Sequence, residues 1–299
     1  MTADELQKKY SSKLKECIET RGYPRYLYKY RKLGKHTKDI IIHNRMYFSN
    51  PADFNDPFDF NLPIDVGRSV AELKEEDFIE FLKELGENLD GNNKEFLEEI
   101  LEEFLEEYIR AIKNEIKNNI KLFAKKTFQE APYLEERIQK RRNETGVCCF
   151  SKKHDEVLMW SHYAQDHKGI CLKFDIKENY DFFSQFIIVE YEKEVDTDIR
   201  KYFLEINKFI KDSYKIKHSN WSYEEEVRVV KTKSMGFNCN NRFVEFEPSA
   251  LKEIIFGLKT DDDIILKYKK LCKTHERDIV FSKMRLVKNG RFELEKIEL

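Results

Sequence analysis

The acidic run Glu224-Glu-Glu226 stands directly before the alternation Val227-Arg-Val-Val230. Period-two geometry would put Glu224, Glu226 and Arg228 on one side of a strand's mouth. Two carboxylates and a guanidinium placed this way suit two purposes. They form a structural ion-pair ladder, or they hold a sugar hydroxyl and stabilise developing positive charge. Both tryptophans fall in short clusters rich in ionisable residues: Trp221-Ser-Tyr-Glu-Glu-Glu-Val-Arg228 and Leu158-Met-Trp-Ser-His-Tyr-Ala164, the latter followed by His167. A third cluster is the loop Asn55-Asp-Pro-Phe-Asp59. Aromatic rings beside His, Asp and Glu can build a pocket that stacks a planar ligand and polarises it.

Plainer roles compete at each position. Met159 and Trp160 are expected in the core, whereas His162 and Tyr163 are divided between core edge and cleft. His167 reads as a surface residue or helix cap. Asp56 and Asp59 are expected to make Asx-type turns around Pro57, with metal or ribose binding as the alternative. A metal-dependent nuclease would need Asp56, Asp59 and Glu224 or Glu226 to converge on one divalent ion. The six cysteines form no C-x-x-C pair, so thiolate zinc ligation is not expected. The usual phosphate-cradling glycine motifs are absent.

The elements that must position these residues follow from periodicity. Residues 3–21 and 36–44 read as helices, and residues 46–49 as a short strand. Arg25-Tyr-Leu-Tyr-Lys-Tyr-Arg31 reads as a strand with Tyr26, Tyr28 and Tyr30 on one face and Leu27, Lys29 and Arg31 on the other. From 70 to 143 apolar residues recur at helical spacing amid Glu and then Lys, which predicts a helical insertion. After 146 the chain turns strand-rich: 147–151, 169–174, 186–191, 226–230, 242–246 and 254–256 read as strands. Helices are expected at 156–165, 197–215 and 260–275, and a hairpin turning at Asn289-Gly290. The fold class is therefore α+β, a mixed or antiparallel sheet core formed by 1–69 and 144–299, with 70–143 inserted.

Composition narrows the function classes. The 299 residues carry 54 Lys and Arg against 56 Asp and Glu, a formal charge of −2, which excludes a generally basic nucleic-acid-coating protein. The 23 Phe and 15 Tyr exclude a disordered chain. The polar start does not read as a signal peptide, and no apolar stretch reaches the ~20 residues of a spanning helix. A cytoplasmic protein with reduced thiols and no membrane association is the expectation.

Several of these strings occur together in a recognisable order. Tyr28-Lys-Tyr-Arg31, Tyr47-Phe-Ser49, Phe54-Asn-Asp-Pro-Phe-Asp59, Cys149-Phe-Ser151, Met159-Trp-Ser-His-Tyr163 and Trp221-x-Tyr-Glu-x-Glu-x-Arg228 resemble a large bacterial family of uncharacterised domains, often found near anti-phage or toxin genes. A second resemblance is to the ADP-ribosyltransferases. Their arginine-directed branch carries an Arg on an early strand, a Ser on a middle strand and a Glu-x-Glu entering a later one. Arg31, Ser151 and Glu224-x-Glu226 stand here in that order. Other branches use His or Tyr instead, for which Tyr28 and Tyr163 are candidates.

That resemblance implies an ADP-ribosyltransferase-like sheet core and NAD as substrate. Glu226 would stabilise the ribosyl cation and Glu224 would serve the acceptor. Arg31 would clamp a phosphate, and Tyr28 or Tyr163 would stack on nicotinamide. Ser151, His162, Asn55, Asp56 and Arg228 complete the expected binding set, with no metal. The implied role is a toxin or anti-phage effector with a protein, nucleic acid, small molecule or water as acceptor, and with the insertion available to a partner protein. The competing expectations are a non-catalytic nucleotide-binding module and the nuclease.

Overall fold

A computed structural model describes residues 2–63, 134–195, 212–275, 278–288 and 291–299. The chain divides into two compact units. One comprises Met1–Asn61, Arg141–Glu194 and Ser213–Leu299, and the other Leu62–Lys140 and Val195–Asp212. Within 70–143 only helix α3 (Leu134–Asn143) is described, so the rest of the expected insertion lies outside the described residues. The same holds for most of the expected helix at 197–215 and for the turn at Asn289-Gly290.

The first unit is α+β and is organised by one large sheet. Its strands are β1 (Tyr26–Arg31), β2 (Arg45–Tyr47), β3 (Thr145–Ser151), β4 (Ile170–Asp175), β5 (Phe186–Ile188), β6 (Glu190–Glu192), β7 (Ile216–His218), β8 (Glu226–Thr232), β9 (Phe243–Glu245), β10 (Leu251–Phe256), β11 (Val280–Leu286) and β12 (Leu294–Glu298). Eight of these pair in the order β12-β11-β10-β4-β1-β3-β8-β5. Every neighbouring pair is antiparallel except β10–β11. That parallel step needs a crossover, which helix α6 (Asp262–Thr274) supplies. β2 pairs with β9 and β6 with β7 in two small sheets.

The sheet is open but covered on both faces. Leu27, Cys148, Phe150, Leu172, Phe174, Val227, Val229, Ile254 and Phe256 bury one face beneath α1 (Ala3–Thr20), α2 (Lys35–His43) and α5 (Tyr180–Phe183) with their neighbours. The opposite face holds a smaller core of Tyr30, Cys171, Ile255, Met284 and Leu294 under helix α4 (Val157–Tyr163). Trp160 is the plug of this second core. It is wholly buried, meets Tyr30 edge-on at 5.2 Å, and donates its indole N–H to the His154 carbonyl at 2.8 Å. The alternation expected in β1 holds, with Leu27 in the first core and Tyr28 and Tyr30 at the second.

The expected strand over 186–191 is broken at Val189. Val189 is buried and its N–H goes to the Glu226 carbonyl, and the chain then leaves the large sheet to pair with β7. Gly257 shows why the α4 corner closes tightly: a Cβ there would stand 2.1 Å from the His167 carbonyl oxygen. His167 itself has positive φ, 68°, and accepts from Lys259 N–H at 2.9 Å, so it belongs to this corner.

Candidate functional site

The candidate site is built where β1, β3 and β8 lie side by side. Tyr28 of β1 is the cross-strand partner of Ser151 of β3, and Ser151 is the partner of Glu226 of β8. Partners in a ladder share a face. Tyr28, Ser151 and Glu226 therefore form one row across three adjacent strands. Cys149 and Arg228 lie in the next row of that face, two residues along each strand. Arg31 is three positions from Tyr28 and so leaves β1 on the opposite face. It does not join the row of Tyr28, Ser151 and Glu226. Its buried Nε has no hydrogen-bond partner, and burial pulls its guanidinium pKa down.

Glu226 opens β8 with its carboxylate almost wholly buried. Arg228 Nε donates to one oxygen at 2.8 Å and Lys217 Nζ to the other at 2.9 Å. Its backbone N–H donates to the Tyr191 hydroxyl at 2.7 Å. Burial alone would raise this carboxyl. Arg228 and Lys217 outweigh it and hold the pKa well below the usual range. Arg228 is fully buried, and besides Glu226 it donates to Asp59 Oδ1 at 2.6 Å and to the Tyr214 carbonyl at 2.9 Å. The Phe60 ring lies 4.5 Å from its guanidinium carbon.

Glu224 reaches the same cluster by a different route from the one expected. It ends a 3₁₀ helix over Ser219–Glu224, and Glu225 then turns left-handed, φ 40° and ψ 52°, before β8 begins. The kink breaks strand alternation between Glu224 and Glu226. It also turns the Glu225 carboxylate to Lys153 at 2.6 Å. Glu224 accepts from the Tyr163 hydroxyl at 2.7 Å and from Lys217 Nζ at 2.6 Å. Its pKa is raised, by burial first, with Lys217 opposing.

Lys217 is the residue that sequence reasoning missed. Its ammonium is buried among Glu224, Glu226 and, at 3.5 Å, Asp59 Oδ2, and these carboxylates overcome burial to raise its pKa. Three carboxylates thus face two cations. Lys217 Nζ stands where a divalent ion shared by Asp59, Glu224 and Glu226 would have to sit. Among the described residues no cluster of His, Cys, Asp and Glu is arranged to hold a metal. Asp59 does not make the expected Asx turn, because Arg228 takes its carboxylate. Asp56 does make one, accepting from Phe58 N–H at 2.9 Å, and its other oxygen is buried without a partner. Asn55 is exposed on the same loop and is not brought to the carboxylates.

The remaining predicted residues divide. Tyr163 is in the cluster through Glu224. His162 is exposed and lines an open cleft with Lys32, Leu33, Ser161, Gln165 and Asp166. Ser151 is fully buried, and its hydroxyl accepts from Lys153 N–H at 3.0 Å. Tyr28 is half-buried, with its ring 5.0 Å from that of His154, and burial pushes its phenol up to about 12. The Cys149 thiol is raised by burial. Signals for Lys217 are weak, since one lysine among many before Trp221 has no distinguishing spacing.

Residues 159–229 match a family described as Protein of unknown function (DUF2971). The matched segment runs from α4 to β8 and holds Tyr163, Lys217, Glu224, Glu226 and Arg228. No curated protein and no solved structure matches the chain. Among the described residues no helix is long and apolar enough to cross a membrane.

Proposed function

We propose that this chain is an ADP-ribosyltransferase-like enzyme that takes NAD as its substrate and acts in the cytoplasm as a toxin or defence effector. The observation that carries the reading is the Tyr28–Ser151–Glu226 row on one face of three neighbouring strands. The row supports a reading as the early-strand, middle-strand, late-strand triplet that the sequence resemblance implies, with Tyr28 in place of Arg31.

In this reading the bond between nicotinamide N1 and ribose C1′ breaks, and its electron pair leaves with neutral nicotinamide. The ribosyl cation left behind is oxocarbenium-like, as in other glycosidic cleavages. Glu226, held ionised by Arg228 and Lys217, supplies fixed negative charge for that cation. Glu224 has the raised pKa of the pair and suits the proton from the acceptor's nucleophile, whether protein, nucleic acid, small molecule or water. Engagement requires Lys217 to give up its bond to Glu226, because that carboxylate is otherwise enclosed. The cationic nicotinamide ribose competes with the ammonium for the same anionic pair.

One observation favours a second reading. All five charged side chains are buried and each has a hydrogen-bond partner, as in a structural ladder, which suits a nucleotide-binding module without turnover. Glu226→Gln separates the two. A transferase loses nicotinamide release while NAD binding persists. A binding module releases no nicotinamide in either form.

A further inference from the structure

β12 is the last strand of the large sheet and is paired on one side only, with β11. The Val287 N–H donates to the Glu293 carbonyl at 3.1 Å, and the Leu299 N–H to the Phe281 carbonyl at 2.8 Å. Odd-numbered residues of this segment therefore turn their backbone groups toward β11. In an antiparallel ladder the residues between them turn theirs the other way. The N–H and C=O groups of Leu294, Lys296 and Glu298 thus form an open edge. Glu295, Glu298 and Leu299 along it are exposed. Such an edge is a template for another strand.

The side chains along the edge say which strand. Leu294, Lys296 and Glu298 share one face, and Glu295, Ile297 and Leu299 the other. Glu295 is held by Arg285 at 2.9 Å. Lys296 Nζ donates to both oxygens of Glu253 at 2.7 Å, which leaves one of its N–H donors over. The exposed Glu298 carboxylate has no ion-pair partner among the described residues. Ile297 is half-buried and Leu299 exposed, so the opposite face of the edge is apolar.

A second copy of β12 fits this pattern in one register. Two antiparallel strands related by a two-fold axis through the sheet keep each side chain on its own face, so a residue faces one an even number of positions away. Like charges directly opposite are destabilising. Centring the axis on Glu295 or Glu298 opposes two glutamates, on Lys296 two lysines, and on Leu294 it sets Glu293 against Glu295. Centring it on Ile297 sets Ile297 against Ile297 and Lys296 against Glu298 in both directions. The open backbone groups of Lys296 and Glu298 then face each other, and each such pair exchanges two hydrogen bonds. We propose that β12 joins two copies of this chain, antiparallel about Ile297, into one continuous sheet. The proposal is independent of the NAD reading, because β12 and β8 lie toward opposite ends of the strand order.

Sedimentation velocity of the full chain across the micromolar range tests it. Wild type should pass from monomer to dimer. Glu298→Lys sets a lysine against Lys296 of the second copy at both ends of the pairing and should weaken association about tenfold. Glu298→Pro removes an N–H that faces away from β11, so it should weaken the dimer while the fold stands. Glu293→Lys makes the same change of charge outside the paired residues and should leave the dimer intact. Far-ultraviolet dichroism and Tm establish that each variant is folded. A wild type that stays monomeric throughout overturns the proposal. So does a dimer unmoved by Glu298→Lys or Glu298→Pro, or one weakened equally by Glu293→Lys.

Discussion

Lys217→Met is the substitution that the cluster geometry makes most informative. It removes an ammonium that is 6% exposed and lies 2.6, 2.9 and 3.5 Å from Glu224, Glu226 and Asp59. Wild type sets three carboxylates against two cations, and the variant sets three against one. Glu226 and Asp59 keep Arg228, so the uncompensated charge falls mainly on Glu224, which is left with the Tyr163 hydroxyl. Removing one partner from a buried ion pair costs about 3–5 kcal/mol. In a chain of this size that lowers Tm by roughly 6–20 °C. The sign with pH follows from Glu224. Its folded pKa is already raised and rises further without Lys217, so the folded variant takes up a proton that the unfolded chain still lacks. The penalty should therefore be full near pH 8 and shrink toward pH 5. Adding Glu224→Gln should restore about 0.5–3 kcal/mol, the usual coupling of contacting groups. Urea unfolding at both pH values is the assay. A loss below about 1 kcal/mol at pH 8, or one that grows on acidification, would refute the cluster as a buried unit.

Other consequences are simpler. Trp160→Ala should cost about 3–5 kcal/mol in the same unfolding assay, since it empties the core under α4. Gly257→Ala should cost about 1–3 kcal/mol, because the new methyl meets the His167 carbonyl. Lys231 is buried against the Asp181 carbonyl and Ser184 Oγ, and burial lowers its amine to about 8. Between that pH and ~10.4 only the unfolded chain keeps the proton. Wild type should therefore gain stability over Lys231→Met on raising the pH from 8 to 10, and a flat difference would contradict the assignment. Cys149 and Cys171 should resist a thiol reagent at pH 8 until denaturant is added, because burial raises both thiols.

Legibility in the sequence tracked locality. The β1 alternation was readable because Tyr and Leu report the two buried faces directly, and Trp160 because a large aromatic amid helix spacing seeks a core. The pairing of Glu224 with Glu226 was readable as to company and misread as to cause. A left-handed Glu225 and a 3₁₀ turn bring the carboxylates together, and no spacing rule encodes a kink at a non-glycine residue. Asp59 looked local because it follows Pro57. Its partner, Arg228, is 169 positions away, a distance at which sequence pattern is silent. Arg31 was nominated by residue type, and strand parity alone was enough to remove it from the Ser151 row once Tyr28 was seen opposite Ser151. Lys217 could not be singled out, because a buried lysine and a solvated one are spelled alike.

The proposed chemistry is cleavage of the nicotinamide–ribose bond of NAD with Glu226 stabilising the cation. Chromatographic assay of nicotinamide formed from NAD by purified protein tests it most directly, with Glu226→Gln run in parallel and cell lysate added as acceptor. The account predicts release by wild type that the substitution abolishes while the variant stays folded. Release that is equal in both, or none from wild type with lysate present, contradicts it.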